Sequence, residues 1–275
     1  MDRGIFEEEH DIFRDAARSF LQNEIGPNAD RWAEQEIVDR EAFLKAGEQG
    51  LLCMWADEKY GGAGVADFRY EQILLEENAR YGDVGFFIFL HSRLVGPYIG
   101  SLGTEEQKAR WLPKCVSGEN ILAIAMTEPG AGSDVSGIRT RAEDKGDHYL
   151  LNGSKIYISN GILADLVIVA ARTDPNNSHA LSLFVVERGM EGFERGRNLK
   201  KMGMHSQDTA ELFFNNVKVP TENLLGEFNR GFYHLMHFLA EERLLSAVGS
   251  LANAEAAFAV TMEYANEREV FGRKV

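Results

Sequence analysis

From residue 5 to about 118, apolar side chains recur at helical spacing. Ile12, Phe13, Ala16, Ala17, Phe20 and Leu21 fall on one face, with Arg14, Asp15 and Arg18 between them, which is the 3.6-residue period of an amphipathic helix. Further helical stretches are predicted over roughly 40–50, 67–81, 84–95 and 104–116. Thr104-Glu105-Glu106-Gln107 has the form of a capping box, and Pro113 weakens the far end of that stretch. From about 119 to 225 the period switches to two. Ile121–Met126, Ile138–Glu143, Tyr149–Leu151, Lys155–Ser159, Leu166–Ala171, Leu181–Val186 and Glu211–Val219 read as short strands. Turn residues separate them at 144–147, Asn152-Gly153, Asn160-Gly161 and 174–177. Short strands without helical crossovers predict an antiparallel barrel or sandwich rather than a parallel sheet. After Gly226 the helical period returns, with Phe232, Leu235, Met236 and Leu239, then Leu244, Ala247, Val248, Leu251, Ala254, Ala257, Phe258 and Met262. The pattern is a multidomain α and β fold: an N-terminal helical domain (1–118), a middle antiparallel β-barrel domain (119–225) and a third, helical unit beginning at 226.

Charge and composition narrow the partners. The chain has 275 residues, with 29 Lys and Arg against 43 Asp and Glu, a net charge of −14. That balance argues against nucleic acid and against an anionic membrane surface, both of which favour basic faces. Hydrophobic residues make up 44%, enough for a buried core. Two cysteines, Cys53 and Cys115, exclude a disulfide scaffold and a thiolate metal cluster. No apolar run approaches the ~18–20 residues that a membrane span needs. Met1-Asp2-Arg3-Gly4-Ile5-Phe6-Glu7-Glu8-Glu9 lacks the features of a signal peptide and is too acidic for a transit peptide. The expectation is a soluble intracellular enzyme, cytoplasmic in a bacterium or in the mitochondrial matrix of a eukaryote.

Three segments can carry chemistry. Ile124-Ala125-Met126-Thr127-Glu128-Pro129-Gly130-Ala131-Gly132-Ser133-Asp134 follows a strand. Such a loop fits either an anion cradle of backbone N–H groups or an ordinary strand connection. It is no Rossmann fingerprint, since position 135 is Val135 and Ile138-Arg139-Thr140-Arg141 alternates like a strand. The Gly-x-Ser-x-Gly elbow and the Walker A loop are absent. In Lys155-Ile156-Tyr157-Ile158-Ser159, Tyr157 and Ser159 point the same way on a strand. They fit a flat ring and a hydroxyl offered to a planar cofactor, or a plain hairpin. Glu241 and Glu242 are helical neighbours about 100° apart, so they face different surroundings. A glutamate against an apolar wall has its pKa raised toward that of a useful base. His234 and His237 lack a third metal ligand nearby, and no metal is expected.

Together these segments resemble the acyl-CoA dehydrogenase family of flavoenzymes. The most specific pieces are Thr127–Asp134, Leu151-Asn152-Gly153-Ser154-Lys155 and Arg268-Glu269-Val270-Phe271-Gly272. Tyr157-Ile158-Ser159, Asp208–Phe214, Gly231-Phe232-Tyr233 and Glu242-Arg243-Leu244-Leu245 are most similar to its long-chain type. The resemblance implies FAD as cofactor and oxidation of a medium-to-long straight-chain acyl-CoA to its trans-2-enoyl-CoA, as in fatty-acid β-oxidation. It implies that Ile124 through Ser133, with Tyr157, Ile158 and Ser159, hold FAD, and that Arg268 reaches the FAD of a neighbouring subunit. Ser133, Ser178, His179, Tyr233, Ala240, Glu241 and Arg243 would line the acyl-CoA site, and Glu242 would be the catalytic base. The family pattern puts the pocket floor near Leu94-Val95-Gly96-Pro97-Tyr98, where Gly96 is expected to leave space. It also implies a homotetramer, built as a dimer of dimers, and an electron-transferring flavoprotein as acceptor. Alternatives are an isovaleryl or other branched-acyl dehydrogenase, an acyl-CoA oxidase or flavin monooxygenase on the same fold, or an inactive scaffold. Relative to the family pattern the sequence stops inside the C-terminal helical bundle. The expectations are therefore low activity for this stretch alone and an apolar stripe from Leu244 to Met262 that faces water.

Overall fold

A computed structural model describes residues 4–275. Met1-Asp2-Arg3, the start of the segment expected not to be a leader, lies outside the described residues. The first unit is helical: α1 (Glu8–Phe20), α2 (Ala29–Gln35), α3 (Arg40–Glu48), α4 (Phe68–Tyr81), α5 (Gly96–Leu102) and α6 (Glu105–Val116). Two π-helical turns, Leu21–Ile25 and Leu90–Val95, extend α1 and lead into α5. α2 escapes the periodicity reading, and 84–87 is not helical.

The buried face of α1 is rotated from the one its apolar residues suggest. Ile12 is 66% exposed, whereas Ala17, Phe20 and Leu21 are buried. The reason is electrostatic: Arg14 and Arg18 turn inward and each donates to the buried Glu77 carboxylate of α4 at 2.8 Å. A buried carboxylate must be paired, and this pairing sets the helix rotation. At α6 the capping box forms as expected between Thr104 and Gln107. Gln107 also donates to the carbonyls of Glu222 and Leu224, tying the helices to the strands beyond. Pro113 stays inside the last turn of the helix, where its missing N–H removes one backbone hydrogen bond.

The second unit contains β1 (Leu122–Ala125), β2 (Arg141–Asp144), β3 (His148–Ser159), β4 (Leu166–Arg172), β5 (Leu181–Glu187), β6 (Phe193–Asn198), β7 (Thr209–Pro220) and β8 (Leu224–Leu225). They form one eight-stranded sheet in the order β6-β7-β3-β2-β4-β5-β8, with β1 added beside β4. The sheet is mostly antiparallel, as expected, but β1 and the end of β2 pair with β4 in parallel. Its path ends, β6 and β8, do not pair with each other, so the sheet is open rather than a closed barrel. β4 has apolar cores on both faces. Leu166, Ile168 and Ala170 pack toward the helices, and Val167, Val169 and Ala171 pack into the sheet's other core. That two-sided burial is why it reads as an unbroken apolar run.

The expected turn at Asn152-Gly153 does not exist. β3 runs straight through it as a bulge, with Gly153 at φ +149° and a hypothetical Cβ 2.5 Å from the Thr140 hydroxyl. Only glycine fits that approach. The β2–β3 hairpin turn over 144–147 does form, with Lys145 N–H donating to the His148 carbonyl.

The third unit is one helix, α7 (Gly231–Glu267), about 55 Å long at 1.5 Å per residue. A short hairpin follows, β9 (Glu269–Val270) with β10 (Arg273–Lys274). The buried positions of α7 are Gly231, Leu235, Phe238, Glu242, Leu245, Ala252 and Ala256, at spacings of three, four and seven. The wide stripe is exposed as anticipated: Leu244 is 48%, Leu251 51%, Phe258 66% and Met262 45% exposed. α7 is also the one helix among the described residues long and apolar enough to cross a membrane by length and composition. Single polar residues such as Ser246, Ser250 and Asn253 interrupt the apolar run, yet its mean hydropathy stays at 1.3.

Candidate functional site

The glycine loop is fixed from beneath by a buried ion pair. Glu128 turns its carboxylate inward, away from the loop's outer surface. It accepts from Arg139 N–H at 2.7 Å, Thr140 N–H at 2.9 Å and the Lys155 ammonium at 2.9 Å. Lys155 is 1% exposed and also donates to the Met126 carbonyl at 2.9 Å. Burial opposes ionisation of Glu128, but Lys155 and the surrounding donors prevail and hold its pKa below the usual value. Burial pushes Lys155 down to about 8. The backbone pairs Glu128 with Ala131 in both directions. Between and beyond them the N–H groups of Gly130, Gly132 and Ser133 have no intramolecular partner among the described residues. A Cβ at either glycine would meet open space. The loop therefore offers a row of free backbone donors on an exposed rim, which suits phosphate oxygens. The strand residues before it contribute backbone alone, because Ile124 and Ala125 pack into the cores.

The same ion pair joins this loop to β3. Ile156 N–H donates to the Thr127 carbonyl at 3.0 Å, so Thr127 and Tyr157 come together although thirty positions separate them. A second bulge lies between Lys155 and Ile158, with Tyr157 at φ +61°. This is an unfavourable conformation for an aromatic residue and marks a functional candidate. The Tyr157 ring is 66% exposed, Ile158 packs inward at 3% and Ser159 is half-buried. Tyr157 and Ser159 flank the core residue Ile158, although the bulge interrupts the regular alternation that predicts their common face.

On α7 the two adjacent glutamates have separate surroundings. Glu241 is held by Arg93, whose Nε lies 2.5 Å from its carboxylate. Glu242 sits on the buried stripe between Phe238 and Leu245, at 9% exposure. Its Oε1 accepts from the Tyr98 hydroxyl at 2.8 Å. Burial raises the Glu242 pKa; the Tyr98 bond and the Arg243 charge pull it back only in part. A third acid, Glu71 of α4, is 2% exposed with an unpartnered Oε2. Burial pushes it up to about 7, against the attraction of Arg93.

The residues expected on the coenzyme side gather near the start of α7. His179 packs edge-on against Phe232 with ring centroids 4.6 Å apart, and Phe232 meets Tyr233 at 5.8 Å. His179 also adds a favourable charge to Asp134 of the glycine loop, whose carboxyl is lowered chiefly by Ser136. Ser178, Tyr233, Ala240 and Arg243 are exposed along this side. Arg268 is not part of the cluster. It caps the far end of α7, about 39 Å from Glu242 at 1.5 Å per residue, and is exposed. The pocket-floor expectation is corrected: at Gly96 and Gly100 a Cβ would lie 3.0 and 2.3 Å from the Trp55 ring. The space those glycines leave is filled by an indole, which donates to the Ser92 carbonyl at 2.6 Å.

The sequence pattern points to neither Arg93 nor Glu71, and it names Lys155 and Tyr98 only within longer segments, without the roles they take here. Lys155 alone left a signal, a cation on the inward face of an alternating strand. Tyr98 and Glu242 are 144 positions apart and no local pattern joins them.

A helical unit, an open mixed sheet carrying a rigid donor loop, and a long helix with one buried, hydrogen-bonded glutamate define a family architecture, and comparison with known proteins identifies it. Family models for the acyl-CoA dehydrogenase N-terminal, middle and C-terminal domains match residues 7–119, 123–217 and 229–275. The chain belongs to the acyl-CoA dehydrogenase family. It is 48% identical over 276 residues to the mitochondrial long-chain specific acyl-CoA dehydrogenase of Mus musculus, covering 99% of this chain and 64% of that protein. An acyl-CoA dehydrogenase from Geobacillus kaustophilus superimposes on all of this chain and 73% of its own, with a TM-score of 0.96 and 51% identity. An acyl-CoA dehydrogenase from Bacillus anthracis, solved in complex with FAD, gives a TM-score of 0.91 at 33% identity, over 100% of this chain and 48% of its own. The chain thus spans a little under two thirds of the length of the mouse enzyme.

Proposed function

We propose that this chain carries the site of an FAD-dependent acyl-CoA dehydrogenase, with Glu242 removing the α-proton of the acyl thioester as trans-2-enoyl-CoA forms. The observation that carries the reading is Glu242 itself: a carboxylate on the buried face of α7, raised by burial and anchored through one oxygen. A base of this kind needs a pKa lifted toward neutrality and protection from water. With Oε1 engaged by Tyr98, Oε2 is the atom free to take the proton. The exposed Tyr157 ring, the Ser159 hydroxyl, Thr127 and the free N–H groups of Gly130, Gly132 and Ser133 fit FAD in the donor chemistry they offer. Bound FAD would supply the acceptor for the β-hydride. Ser133, Ser178, His179, Tyr233, Ala240 and Arg243 would contact the acyl-CoA. Glu241 belongs to the same expected set, with its carboxylate held by Arg93.

The preference for medium-to-long straight chains is supported by similarity to the long-chain enzyme and by the Tyr157-Ile158-Ser159 motif. Transfer to an electron-transferring flavoprotein, assembly as a homotetramer and Arg268 reaching a neighbour's FAD belong to the same proposal. The test is reduction of bound flavin in the intact enzyme. Glu242→Gln keeps the yellow flavin but is not bleached by acyl-CoA; bleaching at the wild-type rate would overturn the assignment. A panel of acyl-CoA lengths that includes isovaleryl-CoA reads the specificity, with a maximum at the branched substrate contradicting the straight-chain proposal.

A further inference from the structure

One short segment governs both adjacent glutamates of α7. Arg93, in the π-helical turn, and Tyr98, in α5, are five residues apart and take one carboxylate each. Tyr98 is fully buried, its ring 4.1 Å from the Phe238 ring at the turn of α7 preceding Glu242. The ring is thus held by burial and by Phe238, and the hydroxyl has little freedom to leave the carboxylate. We propose that Tyr98 is a positioning residue for the base: its hydroxyl holds Oε1 of Glu242 and presents Oε2 to the substrate, while Arg93 engages Glu241 on its own, separate side. The inference rests on the reading of Glu242 as the base. Tyr98 keeps its proton, because burial and the neighbouring Glu242 charge both disfavour a phenolate, so it acts as donor throughout. The groups facing Glu242 are Tyr98 from α5 and Arg243 on its own helix. Arg93 and Glu71, from the other packed elements, are engaged around Glu241.

A hydrogen bond donated to the ionised form favours that form. Removing it raises the Glu242 pKa further and lets the carboxylate rotate. Tyr98→Phe keeps the ring and its packing, and is expected to move the acid limb of the flavin-reduction pH profile up by about half to one unit. The maximal rate should fall on the order of tenfold, with KM changed less than about twofold, as expected when a group is misplaced rather than substrate binding lost. A readout independent of turnover is the pH titration of the Glu242 side-chain carboxyl by ¹³C NMR, assigned by its disappearance in Glu242→Gln; the midpoint should rise in Tyr98→Phe. Should that variant not fold, 3-fluorotyrosine at position 98 strengthens the donor and should move the midpoint down. An unmoved carboxyl titration and acid limb in Tyr98→Phe, with Glu242→Gln inactive, would overturn the positioning role and leave the base intact. Wild-type reduction in Glu242→Gln would remove the base and this inference with it.

Discussion

Glu128 and Glu242 are both buried glutamates at the candidate site, and their partners give them opposite characters. Glu128 meets a lysine and two backbone N–H groups, and its pKa falls below the usual carboxylate value. Glu242 meets one neutral hydroxyl in an apolar stripe, and its pKa rises. The first is a fastening that holds the glycine loop against β3. The second is poised to exchange a proton. Burial does not by itself make a carboxylate reactive; the count and charge of the donors that accompany it decide.

Substitutions at the two glutamates' sites should have opposite consequences. Glu242→Gln should abolish flavin bleaching while leaving thermal stability near or above that of the wild type, because a raised carboxylate gains nothing from being charged. Breaking the fastening should do the reverse. Lys155→Met leaves Glu128 charged, buried and short of its cation, a change expected to cost about 3–5 kcal/mol in denaturant unfolding. FAD should be lost together with the loop's order, since Lys155 also holds the Met126 carbonyl.

Glu71 extends the comparison to a buried acid without a partner for one oxygen. Its pKa near 7 lies above that of the unfolded chain, so the folded state binds the proton more tightly. Its stabilising contribution is complete below about pH 4.5 and is lost as pH rises through 7. The loss amounts to roughly 3 kcal/mol. Glu71→Gln cannot ionise, so its unfolding free energy should exceed that of the wild type at pH 8 by up to that amount and match it at pH 4.5. The smallest effect belongs to Arg93→Gln. Glu241 is 41% exposed, and losing such a pair should change stability by no more than about 1 kcal/mol, read from urea midpoints.

The sequence made the broad division legible because each unit has its own hydrophobic period, and the glycine loop, Tyr157 and Glu242 could be marked through family resemblance. Glu242 carried a physical signal as well, an acid in register with Leu235, Phe238 and Leu245. What remained hidden depends on contacts between distant segments. The rotation of α1 is set by Glu77 of α4. The straight passage of β3 through Gly153 is set by Thr140 beside it. The space at Gly96 is filled by Trp55, and the inward turn of Glu128 is set by Lys155. A local pattern cannot report partners that arrive only on folding.

The central claim is that Glu242, and not Glu128, exchanges the substrate's proton. Exchange of the acyl-CoA α-hydrogen with D₂O, followed by mass spectrometry in the flavin-loaded enzyme, tests it most directly. The wild type should exchange with a rate that rises through a pH above the ordinary carboxylate range, and Glu242→Gln should not exchange. Folded, flavin-loaded Glu128→Gln should retain exchange. Wild-type exchange in Glu242→Gln, or its loss in a folded, flavin-loaded Glu128→Gln, would contradict the account.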